Sequence, residues 1–394
     1  MSKSSPWAHL EFKYKITNRP HRILSLDGGG IRGLITLEIL AKLESELRKK
    51  TGNAELLLGE WFDLIGGTST GAIIAAGLSR GMSVDALKDF YVSSALQMFT
   101  KAFFLNRLTT KFNEAPLRQK LQEVFGDQDG IGLTESDKWK CMMVAVTTNW
   151  NTLSPWPISN NPFAKYNDLD RPDCNLKIPL WQLVRASTAA PTYFVPEVIQ
   201  WDSNDLNKRF VFVDGGMTPY NNPAFQLFRM CTAQPYHLGW PTGEDNLLIL
   251  SIGTGAPLSK RHKVGEGGDN LLTNASEIPS KLMNGINAEQ DLNCRTVGKC
   301  LFGQSIDREI GDLIPRASDG RIDHTTNLGR AFSYMRFNAD LSEIGLEALG
   351  LSGINADKVS ELDCVEEADN LIRIGQAVSK DIPSAVAMLP NFLN

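Results

Sequence analysis

Ser69 is the residue of this chain with the clearest chemical potential, because it stands between two glycines in Gly67-Thr68-Ser69-Thr70-Gly71. A serine in a Gly-x-Ser-x-Gly pattern occupies a sharp strand-to-helix turn, where larger residues two places before and after it would clash. The partial positive charge at the start of the following helix favours an alkoxide on the serine oxygen. The pattern indicates a nucleophile, and its alternative interpretation is a serine that only caps the helix.

A glycine-dense turn, Asp27-Gly28-Gly29-Gly30-Ile31-Arg32-Gly33, precedes that serine by about 40 residues. It satisfies the Gly-x-Gly-x-x-Gly pattern of dinucleotide-binding turns, but the acidic residue expected about 20 positions later, at the end of a second strand, is missing. Free N–H groups at a helix start also suit an oxyanion hole, which binds the negative oxygen of a tetrahedral intermediate. We favour the oxyanion hole, with the Arg32 charge nearby, and keep nucleotide or phosphate binding as the alternative.

A serine nucleophile needs a base, and Asp214 is the first candidate. It follows the apolar run Phe210–Val213 and precedes two glycines. A carboxylate close to the serine and partly removed from water could accept its proton. The five histidines, His9, His21, His237, His262 and His324, lie in no motif typical of a catalytic loop. A full triad that uses His237 or His262 stays open, since the order Ser…Asp…His is known in hydrolases.

The elements around these residues alternate between strands and helices. Apolar runs predict strands at 22–26, 61–65, 141–146, 210–213 and 247–252, and helical periodicity predicts helices at 34–50 and 72–78. Such alternation indicates an α/β fold with a mostly parallel sheet between helices, whose active site lies at the carboxyl ends of the strands. Beyond residue 256 the pattern weakens, with a polar loop over 265–274 and helical periodicity from 355 to 387.

Composition narrows the class of protein. The 394 residues carry a net charge of −5, which gives no reason to expect nucleic acid as a partner. Six widely spaced cysteines without a Cys-x-x-Cys pair favour reduced thiols in a cytoplasm over a disulfide scaffold. The N-terminus lacks the apolar region of a secretory signal, and no stretch approaches the roughly 18 apolar residues of a membrane span. We therefore expect a cytoplasmic protein that meets a bilayer, if at all, from its surface.

Three motifs in this order, Asp-Gly-Gly-Gly-Ile-Arg-Gly, Gly-Thr-Ser-Thr-Gly and Asp-Gly-Gly, resemble those of the patatin-like phospholipase family. Arg185–Phe194 is similar to the stretch that precedes the catalytic aspartate of that family, and Ser251–Gly255 is similar to its following strand. The resemblance implies a three-layer patatin-like core over 22–227 after a lead-in segment over 1–21, with a strand at 247–256 that completes the sheet. Residues 257–394 would form a mainly helical extension of unassigned role.

The resemblance also implies a reaction. Enzymes of this family cleave fatty-acyl esters of lipids, phospholipids above all, with a Ser–Asp dyad, an acyl-enzyme and no metal or organic cofactor. Carried over, Ser69 is the nucleophile and Asp214 the proton acceptor. The oxyanion hole comprises Gly28, Gly29 and Gly30 with Arg32 beside it. The remaining motif glycines are Gly33, Gly67, Gly71, Gly215 and Gly216.

Further expectations concern control and membrane contact. The C-terminal part could serve inhibition, homo-oligomerisation or a small-molecule activator, as in some bacterial enzymes that the chain resembles. The aromatic and basic stretch 98–112 is a candidate for peripheral membrane contact, although such a stripe more often belongs to a core. The basic cluster 260–263 is a candidate anion site, although such clusters are usually solvated surface. Cys294 and Cys300 lack the spacing and the histidines of a metal site.

Overall fold

A nine-stranded sheet is the framework of the described residues. The computed structural model describes residues 8–15, 19–99, 115–126, 138–191, 194–202, 204–258, 271–307, 309–323 and 329–393. The strands are β1 (His21–Leu26), β2 (Leu64–Thr68), β3 (Met142–Asn149), β4 (Ser154–Ser159), β5 (Glu197–Gln200), β6 (Arg209–Asp214), β7 (Leu247–Ile252), β8 (Lys299–Phe302) and β9 (Ser333–Phe337).

Helices cover this sheet. Within the same described ranges they are α1 (Glu11–Tyr14), α2 (Gly33–Thr51), α3 (Leu58–Trp61), α4 (Thr70–Ser79), α5 (Val84–Phe99), α6 (Ala115–Phe125), α7 (Leu180–Ser187), α8 (Ala224–Thr232), α9 (Leu271–Val297), α10 (Glu343–Ala348), α11 (Ala356–Ser360), α12 (Ala368–Val378) and α13 (Ile382–Val386). In the described part of the chain, no helix combines the length and the apolar character needed to cross a membrane.

The strand order is β5-β6-β3-β2-β1-β7-β9-β8, and β4 pairs with β3. The pairs along the run from β3 to β8 are parallel, whereas β4 and β6 both run antiparallel to β3, and β5 runs antiparallel to β6. The prediction of an α/β fold with a central, mostly parallel sheet is confirmed.

Side-chain direction on β2 shows that helices cover both faces of the sheet. A β-carbon added to Gly66 would point at Leu227 of α8, whereas one added to Gly67 would point at Gly71 and Ala72 of α4. Since successive residues of a strand face opposite sides, α8 and α4 lie on opposite faces of β2. The sheet is therefore the middle of three layers.

The register of β3 brings two other strands end to end. One edge of β3 pairs with β2 up to Val146, the partner of Thr68, and then with β6 from Thr147, the partner of Asp214. The antiparallel β4 pairs with β3 over the same upper part, from Val144 to Asn149, and so occupies the other edge. Asp214 therefore continues the line of β2 at the point where that strand ends, one residue before Ser69.

The predicted strand 61–65 is wrong in its first half. The structure forms α3 up to Trp61, and β2 begins only at Leu64. The buried ammonium group of Lys13 donates hydrogen bonds to the carbonyls of Gly59, Glu60 and Phe62 at 2.7 to 2.8 Å. These carbonyls lie where the short helix ends and lack helical partners, so a distant lysine satisfies them and stabilises the end of α3.

The C-terminal part contributes strands as well as helices. Helical periodicity from 355 to 387 corresponds to α11, α12 and α13, as predicted. The loop predicted for 265–274 is wrong over 271–274, which begin α9, and its earlier residues lie outside the described part. Two strands, β8 and β9, were not predicted, and β9 pairs directly with β7. The division into a core and an extension stays a prediction.

Candidate active site

Ser69 occupies a strained turn between β2 and α4. Its backbone has φ +55° and ψ −123°, a conformation that a residue with a β-carbon rarely adopts. A β-carbon added to Gly67 would lie 2.1 Å from the carbonyl oxygen of Gly71, and one added to Gly71 would lie 2.3 Å from that of Leu26. Both flanking glycines are therefore required by close backbone approach, and the turn presents the serine side chain at the edge of the sheet.

The hydroxyl of Ser69 donates a hydrogen bond of 2.6 Å to Oδ2 of Asp214. The other carboxylate oxygen of Asp214 accepts a 2.7 Å bond from the N–H of Gly216, and the hydroxyl of Thr148 donates to the Asp214 carbonyl at 2.8 Å. The aspartate is thus fixed at its backbone and at one carboxylate oxygen. The other oxygen faces the serine.

Burial sets the acidity of this carboxyl group. Asp214 is only 6% exposed, and burial raises its pKa to about 6, although hydrogen bonds from Ser69 and Gly216 and the charge of Arg185 act in the opposite direction. The group is therefore mostly ionised at neutral pH. It is also a stronger base than an exposed aspartate, as proton abstraction requires.

The glycine turn lies directly beside the serine. A β-carbon added to Gly28 would lie 3.2 Å from the β-carbon of Ser69. The N–H of Gly28 is already bound to the carbonyl of Asn221 at 3.1 Å. The N–H groups of Gly29 and Gly30 have no acceptor among the residues that the structure describes. Of the three predicted oxyanion donors, two are therefore available to an incoming oxygen atom.

Anchored carbonyl groups set the direction of both donors. The Gly28 carbonyl accepts hydrogen bonds from the Thr254 hydroxyl at 3.0 Å and from the Asn221 amide at 3.3 Å. The Gly29 carbonyl accepts from the backbone N–H of Arg32 at 3.2 Å and from its Nε at 3.4 Å. Because a trans peptide places its N–H opposite its C=O, fixing these carbonyls fixes the N–H groups of Gly29 and Gly30.

Arg32 lies in the glycine turn, and its side chain binds carbonyl groups of the backbone. Its side chain is 3% exposed, and its guanidinium donates to the carbonyls of Gly29 and Ser360. The neighbouring N–H of Ile31 donates to the carbonyl of Leu362 at 3.0 Å. These contacts link the glycine turn to the C-terminal end of α11, and they make Arg32 a support of the turn.

Ser187 is a site residue that the sequence analysis missed, although it lies in the 185–194 stretch. Its hydroxyl accepts a hydrogen bond from the backbone N–H of Ser69 at 2.9 Å and donates one to the carbonyl of Val146 at 2.7 Å. It therefore fastens the strained turn to β3 at Val146. No local pattern announces this contact, because the two serines are 118 residues apart in the chain.

The remaining motif glycines lie around the same edge. Gly33 begins α2 behind the glycine turn, and Gly215 and Gly216 form the 3₁₀ turn that follows Asp214. A β-carbon at Gly215 would lie 2.3 Å from the carbonyl oxygen of Val146. The structure thus brings every predicted site residue to one edge of the sheet.

Three histidines, His9, His21 and His237, lie in the described part of the chain, and none is hydrogen-bonded there to the Ser69–Asp214 pair. His21 is buried and stacks on the Trp240 ring, with a distance of 4.1 Å between ring centroids. The other two histidines, 262 and 324, lie outside the described residues.

The sequence analysis also named candidate anion, membrane-contact and metal sites. The basic cluster 260–263 lies outside the described residues, as does nearly all of the stretch 98–112, of which only 98–99 belong to α5. Cys294 and Cys300 are buried free thiols. Within the described residues, no group of histidine, cysteine or carboxylate side chains is arranged to hold a metal ion.

Comparisons with known proteins show which family the chain resembles. The family model described as "Patatin-like phospholipase" matches residues 24–228, just over half of the chain. A cGAMP-activated phospholipase of Escherichia coli is 32% identical over 245 residues, which cover 59% of this chain and 62% of the relative. Patatin-17 of Solanum cardiophyllum is 30% identical over 59% of this chain and 60% of its own length. The chain thus spans about three fifths of these two relatives.

A third relative extends the match. Patatin-like protein 2 of rice is 27% identical over 90% of this chain and 82% of its own length. Among solved structures, human group IVD cytosolic phospholipase A2 aligns over 99% of this chain and 63% of its own, at 12% identity and a TM-score of 0.43. VipD from Legionella pneumophila aligns over 94% of this chain and 67% of its own, at 12% identity and a TM-score of 0.37. On the match of the family model, the chain belongs to the patatin-like phospholipase family.

Proposed function

We propose that this protein is a serine acyl hydrolase that cleaves fatty-acyl esters of lipids, with Ser69 as nucleophile and Asp214 as base. The observation that carries the proposal is the 2.6 Å hydrogen bond from the Ser69 hydroxyl to the Asp214 carboxylate, on a strained turn beside two available N–H donors. Nucleophile, base and oxyanion donors are the three parts that acyl transfer requires.

In the first half of the reaction, the Ser69 oxygen attacks the ester carbonyl carbon while its proton passes to Oδ2 of Asp214. The carbonyl oxygen becomes an oxyanion and is bound by the N–H groups of Gly29 and Gly30. The carbon–oxygen bond to the alcohol then breaks, and the departing alkoxide takes the proton from Asp214. The products of this half are a free alcohol, such as a lysolipid, and an acyl group on Ser69.

In the second half, water replaces the alcohol. Asp214 accepts a proton from the water as its oxygen attacks the acyl-enzyme, and the same N–H groups bind the second oxyanion. The bond to Ser69 breaks, the serine oxygen recovers its proton from Asp214, and a fatty acid leaves. Both halves balance with the ester, one water molecule and the side chains of Ser69 and Asp214.

Two alternatives are less well supported. In a Ser-Asp-His triad, a histidine would stand between serine and aspartate, whereas here the carboxylate itself accepts the serine hydrogen bond. A nucleotide or phosphate site would need several free N–H groups. The turn's N–H groups at Gly28 and Ile31 are instead bound to the carbonyls of Asn221 and Leu362.

The substrate class follows from family membership. The name of the family and the names of the relatives make phospholipids the first candidates. A lipid ester presented by a membrane would have to be reached from the bilayer surface, so peripheral membrane contact forms part of the proposal.

The decisive experiment uses a fluorophosphonate with mass-spectrometric mapping, together with a panel of phospholipids and neutral lipids. We expect the label on Ser69, and release of fatty acid that is lost in Ser69→Ala and falls by at least about 10³-fold in Asp214→Asn. Comparable losses in His237→Ala or His262→Ala would support the triad. A Ser69 that stays unlabelled in folded protein both with and without cGAMP, or full activity of Ser69→Ala, would contradict the proposal.

Activation by a small molecule is a separate part of the proposal. It is supported by the two relatives named cGAMP-activated phospholipase, from Escherichia coli and Vibrio cholerae, each 32% identical over about 60% of this chain. Fatty-acid release should be measured with and without cGAMP, and with linear dinucleotides as controls. Full activity of the purified protein without any addition would contradict control by an activator.

A further inference from the structure

Asp27, the residue that opens the glycine turn, forms a buried ion pair with Arg336 of β9. The two guanidinium nitrogens of Arg336 bind the two carboxylate oxygens of Asp27 at 2.8 and 2.5 Å. The arginine is 3% exposed and the aspartate 2%. The residues are 309 positions apart, and Arg336 lies far beyond the residues that the family model matches.

The surroundings hold Arg336 in this position. In the register of β7 and β9 it pairs with Ser251, whose hydroxyl accepts a 2.7 Å bond from the same guanidinium. A β-carbon added to Gly253 would lie 2.9 Å from Nη2 of Arg336 and 2.1 Å from Oδ1 of Asn338. The absence of a side chain at Gly253 therefore leaves the space through which the guanidinium reaches Asp27.

The pair controls the direction in which the glycine turn leaves β1. The backbone N–H of Asp27 is bound to the Ile252 carbonyl at 3.1 Å, so both its backbone and its side chain are fixed from β7 and β9. The peptide that follows joins Asp27 to Gly28, whose N–H is held by the Asn221 carbonyl, and the one after it carries the carbonyl anchored by Thr254 and the N–H of Gly29. A shift of Asp27 would therefore reach that N–H group through a single residue, Gly28.

We propose that Arg336 is a positioning residue for the oxyanion hole: by clamping Asp27, it holds the N–H groups of Gly29 and Gly30 where the oxyanion forms. The inference rests on the hydrolase proposed above. Oxyanion donors act only when they are already aimed at the developing charge, and a displacement of about 1 Å costs roughly 100-fold in rate. The catalytic turn of the family-matched region is thus completed by a strand from the C-terminal part.

The test uses the full-length chain, with Arg336→Lys as the variant and Arg295→Lys as its matched control. Lysine keeps the charge of Arg336 but cannot bind both oxygens of Asp27. Arg295 is equally buried and binds Asp291 through Nε and Nη2, but its remaining bonds go to the carbonyls of Gln304 and Asp312, away from the turn. Both variants lose a buried ion pair in which two nitrogens of the arginine bind two carboxylate oxygens. Only Arg336→Lys loses a contact with the glycine turn.

The readout compares a chromogenic ester with its thionoester, in which sulfur replaces the carbonyl oxygen. Sulfur is a weak hydrogen-bond acceptor, so a well-aimed oxyanion hole favours the ester strongly. Rates are divided by the number of sites that a fluorophosphonate labels at completion, so that unfolded molecules do not count. The intrinsic reactivities of the two substrates are the same for every variant and cancel in the comparison.

We expect Arg336→Lys to lower kcat on the ester by about 10- to 100-fold, with KM within about threefold of wild type. Its ester-to-thionoester preference should fall by about tenfold or more, whereas Arg295→Lys should keep the wild-type preference even if it melts earlier. A wild-type preference and kcat per labelled site in Arg336→Lys would overturn the assignment and leave Arg336 a purely structural residue.

Two further measurements keep the outcomes separate. If Arg336→Lys does not fold, Ser251→Ala removes the hydroxyl that accepts from Arg336 at 2.7 Å and donates a longer bond of 3.4 Å to Asn222, and it should lower the same preference by a few-fold. An unchanged preference there overturns the assignment. If wild-type protein neither cleaves the esters nor labels on Ser69, both with and without cGAMP, the proposed hydrolase is wrong, and the role of Arg336 in an oxyanion hole is wrong with it.

Discussion

Ser69 and Asp214 combine two features that are unfavourable for folding. The serine holds a positive φ, and the aspartate is a carboxyl group removed from water. Strain of this kind costs about 1 to 3 kcal/mol at a residue and persists where the surroundings over-determine it. Here the surroundings are the two flanking glycines and the Ser187 hydroxyl, which is itself bound to Val146 of β3.

The pH dependence of activity should follow Asp214. A base must be deprotonated to accept a proton, and the pKa of Asp214 is about 6. We therefore expect kcat/KM for a soluble, non-ionising ester to rise with pH around 6 and to level off above about 7. The measurement is a rate profile from pH 4.5 to 9. A second inflection near neutrality that disappears in His237→Ala or His262→Ala would instead indicate a catalytic histidine.

Asp214→Asn should remove activity and stabilise the fold. The pKa of Asp214 is raised in the folded state, from 3.8 to about 6, so the folded protein binds more protons than the unfolded chain between these values. Wild-type stability therefore falls as pH rises through this window, by about 2 to 3 kcal/mol in all. Asparagine keeps the shape without the charge.

The measurement for this variant is thermal unfolding of both proteins at several pH values. At pH 8 we expect Asp214→Asn to melt a few degrees above wild type, and at pH 4 the difference should nearly vanish. A variant that is less stable than wild type at pH 8 would show that the charged carboxylate stabilises the site.

Where the pattern is local, the sequence indicated candidate site residues that the structure brings together. Ser69 and the glycine turn are marked by short motifs, because a tight turn demands glycine at fixed spacing. Ser187 and Arg336 were missed for the opposite reason. Their contacts join residues 118 and 309 positions apart, so nothing beside them in the chain identifies their partners.

At the scale of elements, the turn from β2 into α4 is the tightest part of the site. The Gly71 position has no room for a methyl group, since an added β-carbon would meet the carbonyl oxygens of Leu26 and Asp27 at 2.3 and 2.8 Å. Backbone atoms of a central strand cannot move aside as a flexible side chain can. The spacing between α4 and β1 is therefore set by this glycine.

Gly71→Ala should lower the free energy of unfolding by about 3 kcal/mol or more and abolish activity. The matched control is Gly285→Ala, because Gly285 also lies in a helix, α9, but is exposed, with no atom within 4 Å of an added β-carbon. The control should gain about 0.5 to 1 kcal/mol from helix propensity. Chemical denaturation of both variants measures the difference, and equal stabilities would contradict the packing argument.

The bounds of strands were predicted well where an apolar run is buried in the sheet. The strand Leu247–Ile252 was predicted with its observed bounds, and β1 within one residue, because both are apolar runs buried in the sheet. In contrast, β4 contains two prolines, and β9 carries Arg336 in its interior. The arginine is compatible with a buried strand only because Asp27 neutralises it, and that pairing is invisible before the fold is known.

At the scale of the whole molecule, the C-terminal part is joined to the sheet. Its strands β9 and β8 extend the parallel series from β7, and Arg22 of β1 donates a hydrogen bond to the carbonyl of Phe392 at 2.9 Å. Helices α12 and α13 pack on α2, which follows the glycine turn. C-terminal residues thus support β1 and α2.

A chain that ends after Leu258 should fail to fold. It would lack β9, so one edge of β7 would have no partner strand, and the buried carboxylate of Asp27 would have no cation. Removing one partner of a buried ion pair alone costs about 3 to 5 kcal/mol. Circular dichroism and size-exclusion chromatography, with full-length protein as reference, test this. A monomeric, native-like and active fragment would show that the first 258 residues suffice.

The late position of β9 has a consequence for biosynthesis. A ribosome makes the glycine turn and Ser69 early, but Arg336, which anchors the turn, belongs to the last strand of the described chain to be made. Until Arg336 has been made, the growing chain therefore carries Ser69 without the ion pair that anchors the glycine turn. For the hydrolase proposed here, activity would begin only after β9 has been made and has paired with β7.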